Sequence, residues 1–545
     1  MAIAAGAFTA GIVLATGPAR AERQLVTSYV AAWRQGDYAT MYGLLDARSR
    51  ARMSPARLRA AYSAAATTAT LVSLRPGRVS GPHGNVVAVP VRLETRIFGT
   101  LSEILDVPFS GSGSGARVSF NSSLLFPGVR PGERLSRHVS LAPRASLYAR
   151  DGTVLAQGPS LSTPVPEAAV QVVGTLGPIP AVLRSSYAAQ GYPTNAQIGK
   201  DGLELVFQRQ LAGTPGGTLL AGGRVLAFSQ PQPGTPITTT IDPVLEDAEI
   251  AAIANRYAGM VAMNPENGQL LAVAGIAYSA PQPPGSTMKI ITATGALAAK
   301  IVKLSTTFPI ATSTTLEGYT LQNAGGEACG GTLLNAFAVS CNSVFAPLGA
   351  KLGGARLVSM AQKFGFNSPP DFPGEQPSTI PPASTIGDSL AVGSSAIGQG
   401  MVLATPLEMA ITGATIAMRG KRPVPTFLLG HRPKFIRVTS RHVAALVQKM
   451  MIAVVQFGTG TAAQVPGVTV AGKTGTAELA NTVTQSTSSG APPAENPQNT
   501  DAWFVGYAPV GKPRIVVAAL FPAQGAGGAT AAPAVQQVLA AALGR

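Results

Sequence analysis

A chain of 545 residues that is 46% hydrophobic and only 12% charged has the length for several domains and is too apolar to be disordered throughout. Its net charge of +16 is uneven: residues 1–150 hold 18 Arg, no Lys and 7 Asp or Glu, a surplus of 11 that suits an anionic membrane or cell-wall polymer. Four scattered histidines (His83, His138, His431, His442) exclude a metal cluster of recognisable spacing, no finger or RNA-binding signature supports a nucleic-acid partner, and nothing calls for a cofactor.

Residues 1–19, MAIAAGAFTAGIVLATGPA, carry no charged side chain, and Ala19-Arg20-Ala21 offers a small-x-small cleavage site. Residues 1–21 therefore read as an export signal or membrane anchor. From 22 to about 66 the pattern is helical, with Val26, Tyr29, Val30 and Trp33 on one stripe and Ser54-Pro55 opening a further helix. TLVSLRPGRVS, GNVVAVPVRLETRIFG and ARVSFNSSLLFPG then alternate like strands, making 23–130 an α+β module. YARDGTVLAQG predicts strand, Asp-Gly turn and strand near 148–158, and QPQPGTPITTT at 230–240 predicts a linker. Beyond it, Asp242-Pro243 supplies the cap and first position of a helix. AGMVAMNPENGQLLAVAG predicts a hairpin around Asn267-Gly268, and Thr405-Pro406-Leu407-Glu408 a capping box. DAWFVGYAP and RIVVAALFP read as paired strands before a C-terminal helix. Strands at both ends of 242–545, with helices between them, predict one mixed α/β domain.

The chemistry is concentrated in PPGSTMKI, where Ser286 and Lys289 lie three positions apart at a predicted helix start. Residues i and i+3 share a helix face, so the amine can lie beside the hydroxyl. The positive end of the helix and burial both push Lys289 toward its neutral form, which makes it a general base beside a nucleophile. Alone, an S-x-x-K is more often a surface pair on an ordinary helix. Here Ser340-Cys341-Asn342 follows 54 residues after Ser286, and Lys473-Thr474-Gly475-Thr476 comes 133 residues after Ser340. Only one of the 11 lysines stands three residues after a serine, and K-T-G occurs once. S-x-x-K, S-x-N and K-T-G in that order are the signature of the penicillin-interacting serine enzymes. GVTVAGKTGTAEL alternates like a strand, with Lys473 and Gly475 on one face and Thr474 and Thr476 on the other. The glycine is expected to leave room for a substrate along the strand edge.

On these motifs the sequence resembles the class B penicillin-binding proteins, the peptidoglycan D,D-transpeptidases. NPENGQLLAVAG, SSAIGQGMVLATPLEMA, GTGTAAQVPGVTVAGKTGTAE and DAWFVGYAP look like that family's transpeptidase domain. RASLYARDGTVLA and IGKDGLELVFQRQLAGTPG resemble its pedestal or dimerisation segment, and 23–130 resembles the cone-like, nuclear-transport-factor-two-like domain of the methicillin-resistance type. The resemblance implies a multidomain chain: an α+β cone-like domain at 23–130, a mostly β pedestal at 137–240, and at 242–545 an α/β serine transpeptidase domain whose antiparallel sheet is flanked by helices. It implies attack by Ser286 with Lys289 as base, Ser340 bridging Lys289 and Lys473, and Asn342 holding the amide of the acyl donor. The oxyanion hole would come from the Ser286 and Thr476 amides. Lys473, Thr474 and Thr476 would receive the terminal carboxylate of a stem peptide ending in D-Ala-D-Ala. For Lys473 and the threonines to reach one carboxylate, the strand has to twist or bulge. β-Lactams would be trapped at the same serine, and glycan polymerisation would fall to a separate partner on the outer face of the membrane.

Two cysteines, Cys329 and Cys341, lie 12 positions apart, and in an exported chain they are expected to pair. A D,D-carboxypeptidase shares the same ester, and a non-turnover β-lactam-sensing protein would need a signalling segment that is not evident. A class A serine β-lactamase would use a Glu followed by Asn four residues on, yet Glu375 is followed by QPST.

Overall fold

In a computed structural model, residues 7–479 and 497–545 are described, with side chains from residue 19 and again from 498. Contacts divide the chain into a unit of 1–145, 176–198 and 209–235, and a unit of 146–175, 199–208 and 236–545. The stretch 137–240 is thus shared between the two.

In the first unit the opening helix, Ala7–Gln35, runs unbroken through the segment expected to be a signal or anchor, of which residues 1–6 lie outside the described residues. Among the described residues no helix is long and apolar enough to cross a membrane. Val26, Tyr29, Val30 and Trp33 are buried. Trp33 meets Tyr62 edge-on at 5.2 Å, and the Tyr29 and Tyr62 hydroxyls are 2.8 Å apart. Ser54 caps helix Pro55–Ala69 by accepting the Arg57 N–H. The sheet beneath contains Leu71–Pro76, Val86–Thr95 and Gly99–Ser110, and Val87, Val89, Val91 and Leu93 face the core. Two expectations change here. Gly99–Ser110 is a full strand that the sequence hides, because Glu103 stands at an inward position and Ile104 at an outward one, which inverts the alternation in its middle. ARVSFNSSLLFPG yields only the two-residue strand Arg117–Val118, since Asn121 accepts the Ser123 N–H and turns the chain into a 3-10 helix at Ser122–Leu125. A second sheet, Arg224–Ser229, Gly216–Ala221 and Leu135–Ser140 in that order, adds Leu219 and Ala221 to the same core.

The second unit is built on α1 (Pro243–Ile253), β1 (Gly259–Met263), β2 (Leu270–Gly275), α2 (Lys289–Ala298), α3 (Leu333–Ala338), α4 (Asn342–Leu352), α5 (Pro406–Ala417), α6 (Arg441–Gln456), β3 (Ala471–Glu478), β4 (Thr500–Ala508), β5 (Ile515–Phe521) and α7 (Ala531–Leu543). Its antiparallel sheet has the order β2-β1-β5-β4-β3. β4 and β5 are buried along their whole length because helices cover both faces. β3 is one of its two edge strands. The Asp242 carboxylate caps α1 through the Val244 N–H, and Gly268, at φ 77°, turns the β1–β2 hairpin.

The cap of α5 differs from the reciprocal box expected. Thr405 Oγ1 accepts the Glu408 N–H, but the Thr405 N–H donates to Ser378 Oγ instead of to Glu408. The Glu408 carboxyl is buried beside Arg422, and burial holds its pKa well above the carboxylate range.

Candidate active site

Ser286 lies half-buried in the 3-10 turn Gly285–Met288, and Lys289 follows as the first residue of α2. Several contacts anchor the turn. Trp503 Nε1 donates to the Pro283 carbonyl at 2.8 Å, the Thr287 hydroxyl to the Pro284 carbonyl at 2.6 Å, and the Gly285 N–H to the Gly398 carbonyl at 2.9 Å. Gly285 stands at φ 51°, where a Cβ would come within 2.7 Å of the Thr476 carbonyl oxygen. Glycine is therefore required next to the serine, and β3 lies directly behind the turn.

Lys289 has no exposed surface. Its Nζ donates to the Ser340 carbonyl at 2.6 Å and to Asn342 Oδ1 at 2.7 Å, with Ser340 Oγ at 3.3 Å. Burial, and then the charge of Lys473, hold its pKa well below the usual lysine value. A neutral amine has two hydrogens and one lone pair. The two short contacts use the hydrogens, and the lone pair is left to act as a base.

Lys473, also fully buried, donates from Nζ to Ser340 Oγ at 2.9 Å and to the Thr474 carbonyl at 3.1 Å, with Thr474 Oγ1 at 3.4 Å. Burial lowers its pKa to about 7. Each amine lies over an aromatic ring, Lys289 at 5.7 Å from Phe345 and Lys473 at 5.5 Å from Phe337. These faces stabilise whatever positive charge the amines carry. Ser340 Oγ thus sits between two amines whose pKa values burial lowers.

Ser340 adopts φ 64°, a left-handed conformation unusual for a residue with a side chain. The Cys341 N–H donates to the Ala336 carbonyl at 2.9 Å, and Cys341 is bonded to Cys329, with Cα atoms 5.8 Å apart. Asn342 donates from Nδ2 to the Gln322 carbonyl at 2.9 Å, and the Ser343 N–H donates to Asn323 Oδ1 at 2.8 Å. The segment is therefore held directly after the strained residue.

Two expectations about β3 need correction. Its register against β4 runs without a shift from Ala471–Tyr507 to Glu478–Thr500, so no bulge brings Lys473 to the threonines. The flexible lysine side chain makes the reach instead, ending at the Thr474 carbonyl. Nor does Gly475 leave room for substrate on its Cβ side. A Cβ there would come within 2.8 Å of the Pro284 carbonyl oxygen, 2.9 Å of Trp503 Cβ and 3.1 Å of Thr287 Cγ2. The glycine lets the Ser286 turn press against the strand. Thr476, partly exposed, accepts the Gly527 N–H at 3.3 Å.

Sequence reasoning missed Thr459. Its Oγ1 is 2.5 Å from Thr474 Oγ1, and its N–H donates to the Ala338 carbonyl at 3.1 Å, two residues before Ser340. The available signal was the Gly458-Thr459-Gly460 triplet: a Cβ at 458 would lie 2.1 Å from the Ala338 carbonyl oxygen and one at 460 would lie 2.9 Å from Phe504. Glu375 is not part of the network. It accepts the Asp371 N–H at 2.7 Å, and burial raises its pKa to about 7. No cluster of His, Cys, Asp and Glu suited to a metal occurs among the described residues.

Residues 162–239 match the penicillin-binding protein dimerisation domain. The chain is 35% identical over 299 residues to the peptidoglycan D,D-transpeptidase PbpA of Mycobacterium tuberculosis, an alignment covering 49% of this chain and 56% of that protein. The chain therefore spans little more than half the length of this relative. It is 26% identical over 470 residues to the peptidoglycan D,D-transpeptidase MrdA of Acinetobacter baumannii, covering 74% of this chain and 66% of the other. Among solved structures, the ceftriaxone acyl-enzyme complex of penicillin-binding protein A from M. tuberculosis superposes with a TM-score of 0.57 at 27% identity, over 74% of this chain and 98% of that one. Residues 258–540, more than half of the sequence, match the penicillin-binding protein transpeptidase domain, and the chain belongs to that family.

Proposed function

We propose that this chain is a peptidoglycan D,D-transpeptidase that works through an acyl ester on Ser286 and is acylated by β-lactams at the same atom. The observation that carries the reading is the meeting of two buried lysines at one hydroxyl: Ser340 Oγ lies 3.3 Å from Lys289 Nζ and 2.9 Å from Lys473 Nζ, and Lys289 directly follows the turn that holds Ser286. Neutral Lys289 takes the Ser286 proton as the oxygen attacks the penultimate carbonyl of a stem peptide ending in D-Ala-D-Ala. The C–N bond breaks, and Ser340 hands a proton to the departing amine while regaining one from Lys289. The amine of a neighbouring stem peptide then attacks the ester, gives its proton back along the same path, and restores the Ser286 hydroxyl.

The Ser286 and Thr476 amides form the oxyanion hole, a contribution of about 3 kcal/mol per donor. Asn342 holds the donor's amide with the hydrogen it does not give to Gln322. Lys473, Thr474 and Thr476 draw the terminal carboxylate, beside Gly475. Residues 1–21 are the signal or anchor, 23–130 the cone-like, nuclear-transport-factor-two-like domain of methicillin-resistance-type proteins, 137–240 the mostly β pedestal, and 242–545 the catalytic domain. The enzyme works on the outer face of the cell membrane beside a separate glycan polymerase. The Cys329–Cys341 bond supports that location, because disulfides persist in oxidising compartments.

The test is incubation with a fluorescent penicillin, followed by mapping of the labelled peptide and by transfer of a D-Ala-D-Ala donor to an amine acceptor. Label on Ser286 with a cross-linked product is expected. Rapid loss of label with hydrolysed drug would indicate a β-lactamase, and trimmed donor without cross-links a carboxypeptidase.

A further inference from the structure

Thr474 is only 4% exposed, whereas Thr459 beside it is exposed. The K-T-G hydroxyl that the resemblance assigns to the carboxylate is therefore largely covered, and the exposed residue of the pair stands outside all three motifs. The two oxygens are 2.5 Å apart, and Lys473 Nζ stands 3.4 Å from the buried one.

We propose that Thr459 is a carboxylate-binding residue of the acyl-donor site, the exposed end of a hydrogen-bond chain that begins at Lys473 and passes through Thr474. The inference rests on the transpeptidase reading above. A hydroxyl has one proton and two lone pairs. Beside an N–H donor the Thr474 oxygen turns a lone pair toward Lys473, which sends its proton away, toward Thr459. Thr459 Oγ1 accepts that proton and must direct its own elsewhere. Within the protein its alternative is the Ala338 carbonyl, 3.5 Å away and already accepting the Thr459 N–H at 3.1 Å. The better acceptor is an anion outside. Each link polarises the next, so the exposed proton carries part of the lysine's influence to the surface.

The local backbone supports this arrangement. Gly458 and Gly460 admit close contacts that side chains would block, and a Cβ at Gly528 would lie 2.5 Å from the Thr459 carbonyl oxygen. Thr459 is thus held from three sides while the residue stays exposed. A carboxylate there is met by a preorganised donor, not by a mobile surface side chain.

The experiment compares acylation rates for a penicillin with a free carboxylate and for its methyl ester, in the full-length protein. The wild type is expected to favour the free acid. In Thr459→Val, which keeps the shape and removes the hydroxyl, the acid-to-ester rate ratio is expected to fall about tenfold, the cost of losing a charge-assisted hydrogen bond. Thr459→Ser is expected to restore most of the ratio. A fall in both rates with an unchanged ratio would make Thr459 merely structural and overturn the proposal, as would an unaltered Val variant. A wild type labelled at Ser286 that does not distinguish acid from ester would overturn this inference and leave the nucleophile standing. A wild type that takes neither compound would overturn the transpeptidase reading as well.

Discussion

Lys289 Nζ donates to Asn342 Oδ1 across 2.7 Å, so the amide oxygen of one motif holds the amine of another. An uncharged acceptor takes a hydrogen without favouring the ammonium. Asn342→Asp would put a negative charge at the same point, raise the lysine pKa and remove the free base at neutral pH. Acylation by penicillin at pH 7 is expected to drop about a hundredfold, with the rise of the pH–rate profile displaced to higher pH. A profile lowered without displacement would mean that Asn342 acts on substrate alone.

Lys473 gives a second pH dependence with the opposite sign. Its pKa is lowered to about 7 by burial, so its charge is present below that pH and lost above it. If that charge draws the carboxylate, acylation by a free-acid penicillin should decline as pH rises through about 7. Acylation by the methyl ester should not decline there. Rates measured from pH 6 to 9 with the two compounds separate the carboxylate effect from the titration of the base.

Buried carboxyls should show in stability. Glu246 and Glu249 lie one turn apart on α1, both fully buried, and burial raises both pKa values well above the carboxylate range. A raised folded pKa means that the folded state keeps protons which the unfolded state releases. Stability is therefore fully present below about pH 4.5 and is lost as pH rises toward the folded pKa, by roughly 1.4 kcal/mol per pH unit for each such group. Glu249→Gln, close in shape to the protonated acid, should leave the melting temperature nearly unchanged at pH 4 and raise it at pH 8. A variant equally destabilised at both would refute a neutral Glu249.

The double variant Cys329→Ser, Cys341→Ser should lose about 3 kcal/mol of stability in the chain-entropy account of a loop this size. Its penicillin acylation should slow further than the loss of folded protein explains, because Cys341 separates Ser340 from Asn342. Denaturation midpoints and acylation rates, compared with and without reductant in the unmutated chain, measure both effects.

The sequence revealed those parts of the fold and site that depend on near neighbours. Asp242 caps its helix two residues on, and Gly268 turns its own hairpin, so both were readable. The three motifs are short, and each announces itself. What could not be read were contacts made across the chain. Ser378 takes the Thr405 N–H from 27 residues away and so breaks the reciprocal cap. Thr459 meets Thr474 across 15 residues, and Gly475 is tight because Trp503 and Pro284 crowd it. Strand Gly99–Ser110 escaped for a different reason: an acid at an inward position, Glu103, and an apolar residue at an outward one, Ile104, invert the pattern in its middle.

The contacts at Ser340 Oγ join residues 51 and 133 positions apart, and neither has a local substitute. A site assembled from such distant parts has no partial form. The ordering of widely separated segments costs chain entropy that only the completed core returns, so the amines and hydroxyls meet late, as the domain closes. Covalent labelling by penicillin therefore doubles as a folding clock for this chain. In refolding it should lag secondary structure and coincide with the burial of Trp503.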